Sequence, residues 1–343
     1  ASRRTFLEEI HRKNRYIKIM KCPYCGSEDF RKISEVDKRG IPSDIAVCYS
    51  CGGCFKSTML TPDGAKYYYG KISHTLTGKK VSEIDLKTRM DERVRLFAYP
   101  RFRFISHFAK FESGRDLIFE FGCNDGANLV PWKAKGFSVL GIDLDSRLVD
   151  FGKKNGGLEL IYGDALEYEN TGKKPKLVIL SCVLDHVTYL DTLLDKVKQI
   201  IDPNGYIFIE VPGIRFYGLL DPLEYFDGEC NFYFDAEAMR KVLKRHGLGV
   251  VYCDEYIRAL CTPGENGTHI ARGPALSRSA GMSFLLKHII KIIQPDDIKL
   301  CDLLERAEKN SLRARITRKL LSLYFIYHYR SLTKARGVHN GKT

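Results

Sequence analysis

Between Leu117 and Asp145 the chain reads strand, turn, helix, strand, and no other stretch limits the fold as much. Leu117-Ile-Phe-Glu120-Phe-Gly122-Cys-Asn124-Asp125-Gly126 is a short apolar run that ends in an acid and enters a glycine-containing turn. A helix through Leu129 and Trp132 is expected next. A second apolar run, Val139-Leu-Gly141-Ile142-Asp143, again ends in a carboxylate, 23 residues after Glu120. One helix and two loops need that distance to lay a parallel strand beside the first. Two adjacent strand ends therefore present acids, and the expected fold is an α/β sheet of parallel strands.

A ligand of such a sheet lies across the carboxyl ends of the strands, with glycine where its atoms pass closely and an acid where a ribose offers hydroxyls. Gly122-x-Asn124-x-Gly126 lacks the third glycine of the dinucleotide fingerprint, and Glu120 stands where a pyrophosphate would be repelled. That acid suits a cation instead. S-adenosylmethionine carries an α-ammonium and a sulfonium, and acid-x-Gly-x-x-x-Gly with a downstream ribose acid resembles the class I methyltransferases. On this reading the cofactor meets Glu120, Gly122, Asn124, Asp125 and Gly126, and its ribose meets Asp143. A dinucleotide dehydrogenase, or a structural strand-turn-helix without a cofactor, are the alternatives.

The 343 residues, with 44% hydrophobic content, can bury a full core and carry appendages. No run reaches the roughly 20 apolar residues of a membrane span, and the charged start Ala1-Ser-Arg-Arg lacks a signal-peptide core, so a cytoplasmic protein is expected. The net charge of +13 favours an anionic partner without choosing among nucleic acid, phosphate-bearing sugar and lipid. Five of the 11 cysteines fall between Cys22 and Cys54, which is metal-ligand clustering and not disulfide spacing. Cys22-Pro-Tyr-Cys25 and Cys48-Tyr-Ser-Cys51 form two knuckles that can bring four thiolates around one Zn²⁺ in a structural zinc ribbon. Cys54 could replace Cys51 by a shift of register, although the CxxC geometry favours Cys51.

Taken in order, residues 1–60 are read as an amphipathic helix, with Phe6, Leu7, Ile10 and Ile17 at helical spacing, followed by the ribbon. Residues 61–115 are read as a connecting helical lobe, with a helix from Ile84 through Phe97 and Tyr99; His74 and Tyr67-Tyr-Tyr69 either roof a substrate site or pack. The methyltransferase domain is expected over 116–275. Its third strand ends at Gly163-Asp164, where Asp164 either accepts from the adenine amino group or caps a helix. The fourth ends at Ser181-Cys-Val-Leu-Asp185-His186, where the methyl group should point. Tyr206 to Pro212 is another strand, and a helix from Ala236 to His246 precedes a closing strand pair near Gly247 to Val251. Residues 276–343 are a basic helical tail, with Phe284 to Ile293 and Leu320 to Tyr329 able to lie on an anionic membrane surface, on a partner or on the body of the protein.

Several of these motifs resemble the zinc-ribbon-bearing sugar methyltransferases of the deoxysugar C-methyltransferase type, found in antibiotic and surface-polysaccharide pathways. Glu120-Phe-Gly-Cys-Asn124-Asp125-Gly126 is similar to that family's E-x-G-S-N-D-G, and Glu210-Val-Pro212 to its E-V-P. Phe226-Asp-Gly-Glu229-Cys230-Asn-Phe-Tyr233-Phe234 is similar to a shortened F-D-x-x-Y-H-E-H-x-S-Y-F. Together with the knuckles and the tyrosines near Tyr68, the resemblance covers about residues 20–255. It implies a Rossmann-like class I methyltransferase sheet, S-adenosylmethionine and Zn²⁺ as cofactors, and a methyl acceptor on a nucleotide-linked sugar or glycan. The chain departs from the family in two places: Cys230 stands where the family has its expected histidine base, and a basic, helical tail is expected in place of the family's long C-terminal domain. O-methylation is therefore as open as C-methylation.

Methyl transfer from a sulfonium is an in-line displacement, so the protein must align, desolvate and deprotonate. His186 is the histidine that the topology puts near the sulfonium, and it is either the base or a residue packed beneath the cofactor; Asp185 could orient it. Glu229 is the second candidate, Tyr233 is expected to wall the site, and Ser181 to touch the cofactor. A zinc-ribbon RNA methyltransferase is the competing enzyme class, although Ser181-Cys-Val-Leu does not resemble the Asn/Asp-Pro-Pro-aromatic loop that grips a flat base. A non-enzymatic zinc-ribbon adaptor is the third reading.

Overall fold

The central strands are near-continuous apolar runs, and both faces of the resulting sheet are covered. In the computed structural model, which describes residues 15–36, 42–69, 82–170, 172–214, 226, 229–255 and 257–264, seven strands form one sheet. They are β6 (Leu117–Phe121), β7 (Ser138–Asp143), β8 (Leu160–Tyr162), β9 (Leu177–Ser181), β10 (Tyr206–Glu210), β12 (Gly249–Cys253) and β13 (Arg258–Thr262). Their order is β12-β13-β10-β9-β6-β7-β8; only β13 runs against its neighbours. The order reverses between β6 and β9, so β6 and β9 open side by side at the point where a ligand binds in such sheets.

Phe119, Phe121, Val178, Leu180, Ile207 and Ile209 share one buried face with α6 (Leu190–Ile200) and α7 (Ala236–Arg245). Ile118, Leu177, Ile179 and Phe208 share the other with Ile105, Trp132, Val149 and Phe151. Each large side chain so buried contributes about 1.5–3 kcal/mol of transfer free energy. The helices behind the second face are α2 (Glu83–Arg93), α3 (Tyr99–Phe108), α4 (Val130–Ala134) and α5 (Ser146–Gly156). The expected single helix from Ile84 is a continuous helical run in which α2 and α3 are joined by a π-helical stretch, Val94–Ala98, followed after Tyr99 by Pro100, whose missing N–H interrupts the hydrogen-bond ladder there.

The cysteine-rich segment builds its own sheet, β11-β4-β3-β2, from β2 (Phe30–Val36), β3 (Pro42–Cys48), β4 (Cys54–Lys56) and β11 (Phe232–Tyr233). Three strands are local, but the fourth comes from far along the chain and pairs Phe232 with Phe55 and Tyr233 with Cys54. Tyr24, wholly enclosed, ties the two together: its hydroxyl donates to the Cys54 carbonyl at 2.7 Å and accepts from the Tyr233 amide at 3.1 Å. Cys22, Tyr24, Phe55 and Met59 belong to the same apolar cluster as α6 and α7, so this segment shares the core of the large sheet.

Two local expectations change. Ile17 lies in β1 (Tyr16–Lys18), which pairs antiparallel with β5 (Thr58–Leu60), and not on a helix. Cys54 is a buried strand residue of β4, so the alternative register in which it replaces Cys51 is not formed. β5 leads into a short helix, α1 (Pro62–Tyr67), capped by Thr61. The expected N-terminal helix over Phe6 to Ile10, His74 and the whole basic tail lie outside the described residues, all of which fall in one compact unit, Ala1–Ile293. Among them no helix is long and apolar enough to cross a membrane.

Candidate active site

At the end of β6 the chain must turn sharply, and Gly122 (φ +64°) and Gly126 (φ +76°) take left-handed conformations to do so. A Cβ on Gly122 would come within 2.6 Å of Val183, and one on Gly126 within 2.5 Å of Leu158, so protein side chains already demand glycine at both positions. Asn124, also left-handed, donates its amide to Asp143 Oδ2 at 2.7 Å, and Asp143 Oδ1 accepts the Asp145 amide at 2.8 Å. The β7 acid thus braces the turn while standing at the adjoining strand end. Burial raises the carboxyls of Asp125 and Asp143.

Glu120 is enclosed, and burial pushes its carboxyl up to about 8. One oxygen accepts from Asn128 Nδ2 at 2.6 Å; Oε2 is buried without a partner among the described residues. An orphaned buried oxygen costs about 1–3 kcal/mol unless something meets it, and a cationic ligand at the strand end would do so. Two arginines from the connecting lobe, without local sequence signal, complete this region. Arg93 grips Asn124 Oδ1 at 2.9 Å and the enclosed Asp125. Arg101 donates to Glu210 Oε1 at 2.8 Å and to Asn128 Oδ1 at 2.9 Å, so one guanidinium links the ends of β6 and β10. Asp164 at the third strand end gives one oxygen to the Leu166 amide at 2.9 Å and pairs the other with Lys66 at 3.2 Å.

Past β9, Ser181 is followed by Cys182, which holds a left-handed backbone (φ +53°), its amide on the Glu210 carbonyl at 2.7 Å. The next turn delivers Asp185 and His186. The loop 229–232 is stitched to this turn: Asn231 and Phe232 donate their amides to the Asp185 carbonyl, and Asn231 Nδ2 donates to the carbonyls of His186 and Val187. His186 Nδ1 donates to the Glu229 carbonyl at 2.9 Å, which puts a proton on Nδ1, so that in the neutral ring Nε2 carries the lone pair. Nε2 faces Asp185 Oδ2 at 3.5 Å, and Cys230 Sγ lies 3.7 Å from that same oxygen. Asp185 is enclosed, burial raises its carboxyl, and its Oδ1 has no partner among the described residues.

Tyr68 and Tyr69, at the end of α1, close over this group. The Tyr68 hydroxyl donates to Glu229 Oε1 at 2.8 Å, and the Tyr69 hydroxyl lies 3.2 Å from His186 Nδ1 and 3.4 Å from the Glu229 carbonyl. Burial holds the Tyr69 phenol well above its ordinary range, so it stays protonated. The structure therefore gathers Asp185, His186 and Glu229 with Tyr68, Tyr69 and Cys230. Tyr233 sits apart, in the apolar cluster of Ile45, Val47, Ile214 and Phe226, its ring edge-on to Phe226.

The knuckle sulfurs converge in pairs: Cys22 to Cys51 and Cys25 to Cys48 are each 3.6 Å apart. All four fall within 4.8 Å of one another. Tetrahedral coordination at a Zn–S length of about 2.3 Å separates sulfurs by about 3.8 Å, so this donor set can hold a metal ion. Gly26 and Gly52 return their amides to the carbonyls of Cys22 and Cys48, each at 2.8 Å, and make the two knuckles copies of each other.

Residues 89–252 match the family model described as "Methyltransferase domain". A C-methyltransferase, NovU, from Streptomyces niveus is 23% identical over 257 residues, 68% of this chain; the chain spans 57% of that relative's length. Among solved structures, a TehB-like SAM-dependent methyltransferase from Corynebacterium glutamicum aligns at 18% identity and a TM-score of 0.40, over 52% of this chain and 97% of that one. A S-adenosylmethionine-dependent methyltransferase from Clostridium acetobutylicum aligns at 13% identity and a TM-score of 0.42, over 53% and 100%.

Proposed function

Because the chain carries a class I S-adenosylmethionine-dependent methyltransferase domain, we propose that it methylates a sugar, on oxygen or carbon, in a nucleotide-linked or glycan acceptor that bears phosphate. The observation that carries this reading is the cluster at the end of β9, where Tyr68, Tyr69, His186 and Glu229 offer a set of neutral and charged hydrogen-bonding groups suited to a polyhydroxylated acceptor. In this reading the sulfonium lies over the ends of β6 and β9. Glu120 Oε2 and the Gly122–Gly126 turn, with Asn124 and Asp125, receive the methionyl end. Asp143 binds the ribose, Asp164 the adenine and Ser181 the sulfonium's flank. The acceptor loses its proton at His186, whose Nδ1–H is fixed on the Glu229 carbonyl so that Nε2 is the basic atom, with Asp185 balancing the charge. Tyr233 supports the acceptor loop from behind.

The four knuckle cysteines, Cys22, Cys25, Cys48 and Cys51, are assigned a structural Zn²⁺, because all four positions of the ion are filled by protein. The name of the Streptomyces relative supports a carbon acceptor; Cys230 in place of the family's histidine keeps a hydroxyl acceptor in view. Single-turnover methyl transfer to a panel of nucleotide sugars, lipid-linked glycans and RNA tests the reading. Transfer to nucleotide sugars or glycans is expected, and transfer to RNA alone would replace it by the nucleic-acid class.

A further inference from the structure

Three side chains that bind transition metals meet at one point on the acceptor side: Asp185, His186 and Cys230, one ligand atom of each within 4.8 Å of the others. They come from two loops 45 residues apart, so the meeting is a product of the fold. The separations suit a metal. At Zn–O, Zn–N and Zn–S lengths of about 2.1, 2.05 and 2.3 Å, tetrahedral coordination puts oxygen and nitrogen about 3.4 Å apart and oxygen and sulfur about 3.6 Å apart. Asp185 Oδ2 lies 3.5 Å from His186 Nε2 and 3.7 Å from Cys230 Sγ.

The hydrogen bonding around the cluster points the same way. A carbonyl can only accept, so the 2.9 Å contact with the Glu229 carbonyl puts a proton on His186 Nδ1, and in the neutral ring the lone pair then sits on Nε2, the atom that faces Asp185. Metal-bound histidines nearly always donate their second nitrogen to a carbonyl or carboxylate in this way. Nε2 of that neutral tautomer and Oδ2 of the carboxylate are both electron-pair donors, and they face each other at a distance that a shared cation would favour. The second oxygen of Asp185, buried with no partner among the described residues, adds a further uncompensated negative atom to an enclosed position.

We infer that Asp185, His186 and Cys230 form a second metal site, distinct from the four-cysteine cluster, that takes a divalent transition cation of the Zn²⁺ class through one oxygen, one nitrogen and one sulfur. Three protein ligands leave the remaining coordination to solvent or acceptor, which is the arrangement of a catalytic and not a structural ion. The inference rests on the assignment of this cluster to the acceptor side and changes one role: Nε2 binds the cation, and a hydroxyl held by the cation becomes acidic enough to lose its proton without an imidazole base.

The test is metal content by mass spectrometry on the full chain after equilibration with Zn²⁺ and removal of loosely held ion, with Co²⁺ replacement read by its visible spectrum. Wild-type protein is expected to hold the ribbon's equivalent and a second one. Cys230→Ala should lose the second alone, and Cys230→His should keep it. In the Co²⁺ form, Cys230→Ala should remove the thiolate-to-cobalt charge-transfer absorption of one sulfur and leave the tetrathiolate spectrum of the ribbon. A single equivalent in the wild type, or two equivalents unchanged in both Cys230→Ala and His186→Ala, overturns the site. Titration with S-adenosylhomocysteine reports folding of each variant. One equivalent together with active sugar methylation sinks the metal and leaves the sugar reading; two equivalents without methylation of any sugar does the reverse.

Discussion

Around Gly122–Gly126 most hydrogen bonds join residues of one strand-turn-helix-strand unit: Glu120 with Asn128, Asn124 with Asp143, Asp143 with Asp145. Around His186 they join segments far apart in the chain, Tyr68 to Glu229 across 161 positions, Tyr69 to His186 across 117 and His186 to Glu229 across 43. The proposed cofactor side is therefore built mainly within its own unit, braced by Arg93 and Arg101 of the connecting lobe, whereas the proposed acceptor side needs α1, the turn after β9 and the loop before β11 all in place. That loop is held from behind by the cysteine-rich sheet, through β11 on β4 and the Tyr24 hydroxyl on the Tyr233 amide. The difference teaches that the cysteine-rich sheet supports the loop proposed to meet the acceptor.

The most severe way to break this contrast is to remove the metal proposed for the four knuckle cysteines. Cys22→Ser/Cys48→Ser should abolish metal at the four-cysteine site and reduce methyl transfer below detection, because apparent Zn²⁺ binding free energies on the order of 10 kcal/mol are folding free energy for a segment this small. Binding of S-adenosylhomocysteine should survive within a few-fold of the wild type. Metal analysis beside calorimetry checks both halves. Full turnover in protein that lacks the ribbon metal would show that β11 needs no such support.

Next in size is the acceptor side itself. His186→Ala should lower single-turnover transfer by about 10²–10⁴-fold and leave cofactor affinity nearly unchanged, the signature of a group that acts on the acceptor's proton and not on the cofactor. A parallel loss of cofactor affinity would join the two sides and remove the contrast.

The same locality explains what could be read from the sequence. The apolar runs of β6 to β10 are consecutive and their faces alternate, so the parallel sheet was legible, as were the knuckles, whose ligands lie three residues apart within each pair. Tyr68 and Tyr69 could be flagged by their clustering but not assigned partners. Arg93 and Arg101 carried no signal, since nothing near them in sequence distinguishes them from the other basic residues of the lobe; their meaning lies in Asp125 and Glu210, brought near by folding. The brace from Asp143 to the Asn124 amide was invisible for the same reason, and Ile17 was misread because three residues suffice for a strand but not for a period. Asn231, which ties the acceptor loop to the β9 turn, was passed over within a motif whose family likeness drew attention to its neighbours.

On the cofactor side the expected effects are smaller. Asp143→Ala should weaken S-adenosylmethionine binding by about 1–3 kcal/mol, the usual worth of a hydrogen bond to a charged group. The measurement is calorimetric, and it should be read beside Asp143→Asn, which keeps a side-chain oxygen for one of the two amides it now receives. Equal affinity in wild type and Asp143→Ala would take the ribose away from this acid.

The smallest effect concerns Glu120. Its folded-state carboxyl is raised by burial to about 8, against an ordinary value near 4.5, so the native protein keeps a proton that the unfolded chain has already lost across that interval. The unfolded state then binds fewer protons than the native one. This group's contribution to stability is accordingly greatest below about 4.5, falls as pH rises toward about 8 and is level beyond it. A cofactor whose ammonium meets Oε2 favours the ionised carboxylate, so binding below pH 8 must expel that proton, and affinity should rise with pH by about threefold to tenfold per unit until the carboxyl is ionised in the free protein. Calorimetry at pH 7 in two buffers of different ionisation enthalpy should show a proton released on binding, and Glu120→Gln should remove both the release and the pH slope. If S-adenosylhomocysteine binds Glu120→Gln with the same slope as the wild type, the orphaned oxygen of Glu120 faces something other than the cofactor's ammonium, and the methionyl end belongs elsewhere on the turn.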